Sequence, residues 1–405
     1  MLIHGSSVLG GNGGRLVKVV SAPRGRIAIR SIVAATLTAT LATLPVFLTG
    51  ATAVTLRQDL GFSTGGLGVA VATFWVSMAL MGAPGGRLAQ RVGATTSIRL
   101  GAVAAAVSLL GASTAGNLTQ LCLWLVLAGL ASGFCQPAAD LTIAVGVPVP
   151  RLGLAFGVKQ SSVPGAAMLA GLAVPSLALT VGWRWAFIAS ALLVVPVLFV
   201  VPSLGAGYVG PARVDAREHQ AKRLTRVWLL AGTVSLAMAA ISAMGAFYVE
   251  SAVAYGQNVE AAGVMLAVGS AFGVAGRFFF AWRLADVPRP FFVTAGLVAL
   301  GGMATLVFSL GVTDGPLVAA TAFAFGAGWG WNGLFTHAVV TTNSDVAARA
   351  SGIIVVGAAG GGVFGPLVFG FATERAGFGL AWILAGVFML VAAGLMALCS
   401  RSWVT

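Results

Sequence analysis

Stretches of about twenty apolar residues, separated by short connectors that hold most of the charge, recur twelve times along this 405-residue chain. A run of that length forms a helix of about 30 Å at ~1.5 Å per residue, the thickness of a bilayer's hydrocarbon core. The stretches fall near residues 32–55, 65–84, 97–115, 119–144, 154–180, 184–204, 226–249, 262–284, 291–311, 316–340, 351–372 and 379–400. A membrane barrel would instead alternate apolar and polar positions in segments of about ten residues. Charged residues make up only 8% of the chain and apolar ones 58%, against roughly 25% charged in a soluble domain. The expected class is an all-α membrane protein with twelve transmembrane helices.

A net charge of +13 would suggest a nucleic-acid partner in a soluble chain, but here its distribution reads as topology. With an even number of crossings both termini share one side, and that side holds all but four of the 23 Lys and Arg residues. The exceptions are Arg57, Arg184 and Arg375 on the opposite side and Arg277 within a crossing. The positive-inside rule therefore places both termini in the cytoplasm, as for a multi-pass protein of the cell (inner) membrane. Residues 1–30 mix Gly and Ser with Arg15, Lys18, Arg24, Arg26 and Arg30. They read as a loose cytoplasmic tail, or as a start codon assigned too far upstream, and not as a cleaved signal.

Enzyme chemistry has little to stand on. Cys122, Cys135 and Cys399 fall inside crossings without CxxC spacing, and His4, His219 and His337 are too scattered for a metal site. Neither GxSxG nor a Walker A sequence occurs, and no loop is long enough for a nucleotide domain. No cofactor is expected.

The longest polar stretch, residues 205–225, divides the chain six plus six. Domains are expected at 1–30 (tail), 31–204 (first bundle), 205–225 (central loop), 226–400 (second bundle) and 401–405 (tail). The halves echo each other. Gly61-Phe62-Ser63 ahead of Gly68-Val69 returns 195 residues later as Gly256-Gln257-Asn258 ahead of Gly263-Val264. Arg87-Leu88-Ala89-Gln90 returns as Arg283-Leu284-Ala285-Asp286. Such repeats imply two pseudo-symmetric six-helix bundles with a substrate site between them near the bilayer midplane.

On these residues the chain resembles the major facilitator superfamily of secondary transporters over about residues 31–400. The family's loop after the second helix reads G-x-x-x-D-R-x-G, and Gly86-Arg87-Leu88-Ala89-Gln90-Arg91-Val92-Gly93 matches it except that Gln90 replaces the acid. The turn Gly182-Trp183-Arg184-Trp185-Ala186-Phe187 is similar to one frequent in the superfamily. The resemblance implies a cytoplasmic latch, with Gly86, Gln90, Arg91 and Gly93 in the first half and Arg283 and Asp286 in the second. A neutral Gln90 implies a weaker latch. Two marks of the family's drug/proton antiporters are displaced: the Gly-x-x-x-Gly-Pro element falls at Gly361–Pro366 in the eleventh crossing, and Leu125 stands where helix four would carry Arg. Proton-driven drug export is therefore doubtful.

Polar groups inside crossings carry the remaining signal, because an ionisable side chain in hydrocarbon is costly and normally faces a cavity or a partner. Arg277 lies roughly 6 Å from the middle of its crossing, with no acid nearby on its helix to neutralise it. Lys159 and Gln160 enter the fifth crossing at a depth comparable with Asp140 in the fourth, so Lys159 and Asp140 can pair, as a structural bridge or as part of a coupling site. Asn332 sits beside Trp329 and Trp331, a trio that lines a pocket or glues helices. His337, near the cytoplasmic end of the same crossing, is a packing residue or a proton relay.

The expected function is alternating-access transport of a small solute by a monomer in the lipid bilayer, without nucleic acid. Lys159 and Arg277 outnumber the candidate acid Asp140, which favours an organic or inorganic anion. An uncharged amphipathic compound held by Trp329, Trp331 and Trp75 is the competing reading. A non-transporting sensor or embedded enzyme is a third.

Overall fold

The computed structural model describes residues 25–204, 219–284, 287–343 and 347–401. The tail up to residue 24, residues 205–218 of the central loop, Asp286 and the last four residues lie outside the described residues. Ten helical segments are long and apolar enough to cross a membrane. The first six crossings are α1 (Gly25–Ala51) continued by α2 (Ala53–Leu60), α3 (Thr64–Val92), α4 (Ala94–Ser113), α5 (Leu118–Gly146), α6 (Leu152–Gln160) with α7 (Ser162–Ala173), and α8 (Trp183–Ala191) with α9 (Val194–Val200). The second set comprises α10 (His219–Ala254), α11 (Val259–Arg283), α12 (Pro290–Phe308), α13 (Asp314–Thr342) and α14 (Ala347–Arg401).

Two further crossings follow from length. The 55 residues of α14 would reach about 80 Å if straight, but the helix breaks at Gly377 (φ 80°, ψ 174°) and so spans twice. α13 is less apolar, diluted by glycines, Asn332 and His337, yet its 29 residues suffice to cross and it packs along α11 and α12. The described residues thus form the expected twelve crossings in two bundles.

The internal repeat has a physical basis at the outer turns. Gly61 and Gly256 both take positive φ, 67° and 93°, which a side chain disfavours. Ser63 and Asn258 then cap the next helices, accepting from the N–H of Gly66 at 3.1 Å and of Ala261 at 2.6 Å. Gly182 (φ 103°) and Gly377 (φ 80°) open the sixth and twelfth crossings at the same shift of 195. This third echo escapes the sequence because the flanking residues differ.

Three crossings read as continuous are interrupted, the first at Thr52, the sixth at Leu192–Leu193 and, most of all, the fifth. The fifth, read as continuous from 154 to 180, is broken between Gln160 and Ser162 and ends in a wide turn at Val174–Ala178. Pro164 and Pro175 explain both irregularities, since each lacks the N–H that would bond the carbonyl four residues earlier.

Candidate functional site

Among the described residues the bundles meet mainly along three helix pairs: α3 with α14, α7 with α11, and α1 with α10. Small residues permit the approach on the side away from the termini. A Cβ on Gly171 would lie 2.6 Å from the Gly263 carbonyl oxygen, and one on Gly50 2.7 Å from backbone atoms of Gly245 and Ala246. Side chains then fasten this side. Arg57 on α2 pairs with Glu250 on α10, whose side chain is 8% exposed, and Thr64 donates to the same carboxylate oxygen at 3.4 Å. The Gly65 N–H donates to Glu374 at 2.8 Å. On the side of the seam remote from the termini, these contacts fasten the described residues of the two bundles together. Gly153, Gly157 and Gly165, in the half of the fifth crossing nearer its start, have nothing within 4 Å of where a Cβ would sit.

Arg277 makes the innermost cross-bundle hydrogen bond between described residues. It is 8% exposed, and no salt bridge reaches it among the described residues. Its Nη1 donates to the Gln160 carbonyl across the seam, and its Nε donates to the Trp329 carbonyl at 3.3 Å. Pro164 explains why the Gln160 carbonyl is available: residue 164 would normally bond it within the helix, and proline has no proton to give. α11 lies close enough to α13 because Gly276 sits against the Gly326 carbonyl with no room for a Cβ. One turn outward, Gly273 faces both Pro164 and Trp329.

Trp329 is fully buried and spans the seam. Its ring meets Phe47 of α1 at 5.9 Å and Phe325 at 5.0 Å, Gly245 lies against its indole, and its Nε1 has no partner among the described residues. Trp331 points elsewhere, packing on Phe335 at 5.4 Å inside the second bundle. Asn332 is half-buried, and its Oδ1 accepts from Thr336 at 3.4 Å. Trp75 is buried beside Gly362 on the α3–α14 pair.

Lys159 and Asp140 form an ion pair, Nζ to Oδ1 3.0 Å, with side chains 5% and 48% exposed. The pair joins α6 to α5 within one bundle and neutralises Lys159, which leaves Arg277 as a buried cation at the seam with no ion pair among the described residues. His337 is exposed, and its carbonyl accepts from Thr341 at 2.9 Å.

Of the expected latch residues, Gln90 and Arg91 are exposed at the end of α3. Gly93 turns the chain into α4 with φ 85°. Gly86 has room to spare, Pro137 lying 3.7 Å from a Cβ there, whereas Gly85 is the tight position, 3.0 Å from the Gly133 carbonyl. Arg283 is exposed and lies over Trp282 at 5.4 Å. Asp286 lies outside the described residues.

Sequence reasoning missed the outer fastening. Arg57, Glu250 and Glu374 each stand just beyond an apolar run, where a lone charge looks like an ordinary loop residue. The one available signal was that Arg57 and Glu250 flank the outer ends of the first and seventh crossings, equivalent positions in a duplicated chain.

A family model described as the Major Facilitator Superfamily matches residues 35–358. Among solved structures, the chain is similar to a bacterial homologue of the human lysosomal transporter Spinster in inward-facing form. The occupied state gives a TM-score of 0.71 at 17% identity, covering 91% of this chain and 96% of that one. The unoccupied state gives 0.71 at 16%, covering 94% and 98%. It is also similar to the nucleoside transporter NupG, with a TM-score of 0.70 at 13% identity and coverage of 93% and 99%. At these identities the likeness is one of fold. No curated protein sequence matches.

Proposed function

The chain belongs to the major facilitator superfamily, and from that premise we propose that this secondary transporter carries a small organic or inorganic anion by rocking residues 31–204 against 226–400. The observation that carries the anion reading is Arg277: a buried cation at the seam, neutralised by no carboxylate and held on carbonyl oxygens alone. A buried charge normally has a counter-charge, and a solute arriving from either side can supply it. Lys159 and Asp140 already neutralise each other and serve as a structural bridge beside the site. Gln160 contributes its carbonyl, and Trp329 forms one wall. Asn332 and His337 are kept as polar groups of the cytoplasmic route, and Trp331 as packing. The protein acts as a monomer in the cell membrane, with both termini in the cytoplasm and the Gly86–Gly93 loop closing the inner side.

The test is counterflow in proteoliposomes with a labelled panel of monocarboxylates, inorganic phosphate and neutral amphipathic compounds. Anion exchange in the native protein that falls at least about tenfold in Arg277→Gln is the expected result, since a charge-assisted hydrogen bond contributes about 1.5–3 kcal/mol. Exchange confined to neutral compounds, or anion exchange unaffected by Arg277→Gln, would remove the anion reading and leave the transporter.

A further inference from the structure

We propose that the Gln160 carbonyl is an internal competitor for Arg277, which the carboxylate of a monoanionic solute with an apolar or aromatic body displaces, untying α6 from α11. The inference rests on the anion reading above and adds to it the class of solute and the step that couples binding to movement.

Three observations converge. The carbonyl is spare because of Pro164 and for no other reason: Gly165 N–H bonds Ser161, so the helix resumes immediately beyond the gap. The guanidinium is incompletely used, since Nη1 and Nε each hold one carbonyl while Nη2 makes no hydrogen bond among the described residues. An Arg fork satisfied by neutral carbonyls binds a carboxylate better, because charge-assisted bonds are roughly twice as strong. The surroundings set the rest of the solute. A single unpaired cation calls for a single negative charge, and Trp329 and Phe47 offer apolar walls with an unpartnered indole Nε1.

The consequence falls on α6. This nine-residue helix is separated from α7 by the proline gap and carries Gly153 and Gly157 on open space. Among described residues, Arg277 is its one hydrogen bond to the opposite bundle. When a carboxylate takes the guanidinium, α6 loses its tie to the opposite bundle and keeps only the bonds within its own, the Lys159–Asp140 pair among them. An empty carrier keeps the tie and a loaded one loses it.

Pro164→Ala tests the competition directly, because alanine restores the N–H that satisfies Gln160 within the helix and so removes the competitor without touching Arg277. The probe is radiolabelled benzoate, bound at equilibrium to the purified protein in nanodiscs, with inorganic phosphate as the compact control. Benzoate is expected to bind about tenfold more tightly to Pro164→Ala than to the native protein, and Arg277→Gln to bind none. Unchanged benzoate affinity in Pro164→Ala, with binding still lost in Arg277→Gln, would overturn the competition and leave the anion reading intact. Benzoate binding that survives Arg277→Gln, or preference for phosphate, would overturn this proposal at its solute. A second readout needs no variant: hydrogen exchange in residues 152–160 of the native protein should accelerate several-fold at saturating benzoate. Exchange that benzoate leaves unchanged, or slows, would refute the release of α6.

Discussion

Arg277 and Asp59 show how differently two charges behave according to what surrounds them. Arg277 is buried and meets only dipoles, so its worth depends on what replaces them. Asp59, near the end of α2 and beyond the Gly25–Ala51 stretch that is apolar enough to span, is well served: Arg184 donates to it at 2.5 Å and the Trp183 indole at 3.1 Å, with the guanidinium 4.4 Å from the Trp183 ring. The bond from Arg184 first, and then that from Trp183, holds the Asp59 carboxyl below the usual carboxylate range. A folded-state pKa below the unfolded one means the stabilisation is full above the unfolded value, near ~3.9, and is lost as pH falls through the folded value. The melting temperature of the detergent-purified protein should therefore drop on acidification below about pH 4, and the drop should be smaller in Asp59→Asn. Equal acid sensitivity in both proteins would show that this cluster contributes nothing; because both partners are about half exposed, the effect is small.

At the scale of elements, glycines separate helices that must move from helices that must not. Gly171 of α7 faces the Gly263 carbonyl across the seam, whereas Gly276 of α11 faces Gly326 inside one bundle. Overpacking a tight contact costs about 1–3 kcal/mol, and the place decides the outcome. Gly171→Val should purify with a near-native melting temperature yet lose transport, because the outer seam no longer closes. Gly276→Val should lower the melting temperature by several degrees, since no rigid-body movement relieves the clash. Similar melting curves for the two would dissolve the distinction. These contacts were hard to read beforehand. Twenty-residue apolar runs announce a crossing whatever its partners, so helix number and turns were legible, and the 195-residue shift announced the duplication. The break at Gln160 was not, because Pro164-Gly165 leaves the apolar run unbroken even as it removes a backbone bond.

For the whole molecule, the sides of the seam are fastened by different means, and that difference sets the conformational balance. The site was legible only in part: Arg277 stood out as a charge in hydrocarbon, but its partners are carbonyls, which a sequence does not display. Arg57 and Glu250 are separated by 193 positions, and nothing local marks them as a pair. Together with Thr64, Gly65 and Glu374 they bind the outer ends of the two bundles, and one Glu250 oxygen is buried without a partner among the described residues. A carboxylate in that position depends on Arg57, so Arg57→Ala leaves a buried charge that is relieved when the bundles part and water enters. Removing one partner of a fully buried pair costs about 3–5 kcal/mol; with Arg57 about a quarter exposed, a figure nearer ~2 kcal/mol applies, which would shift the population toward the outward-open form about thirtyfold. A cysteine at Thr64, in a background freed of Cys122, Cys135 and Cys399, reports this through a membrane-impermeant maleimide added outside. Labelling should be slow with Arg57 in place and markedly faster in Arg57→Ala, and a double variant with Glu250→Ala should return toward the slow rate, because the stranded charge has gone. Fast labelling that persists in the double variant would mean that the pair closes the gate by attraction alone, and that the buried carboxylate contributes nothing to its opening.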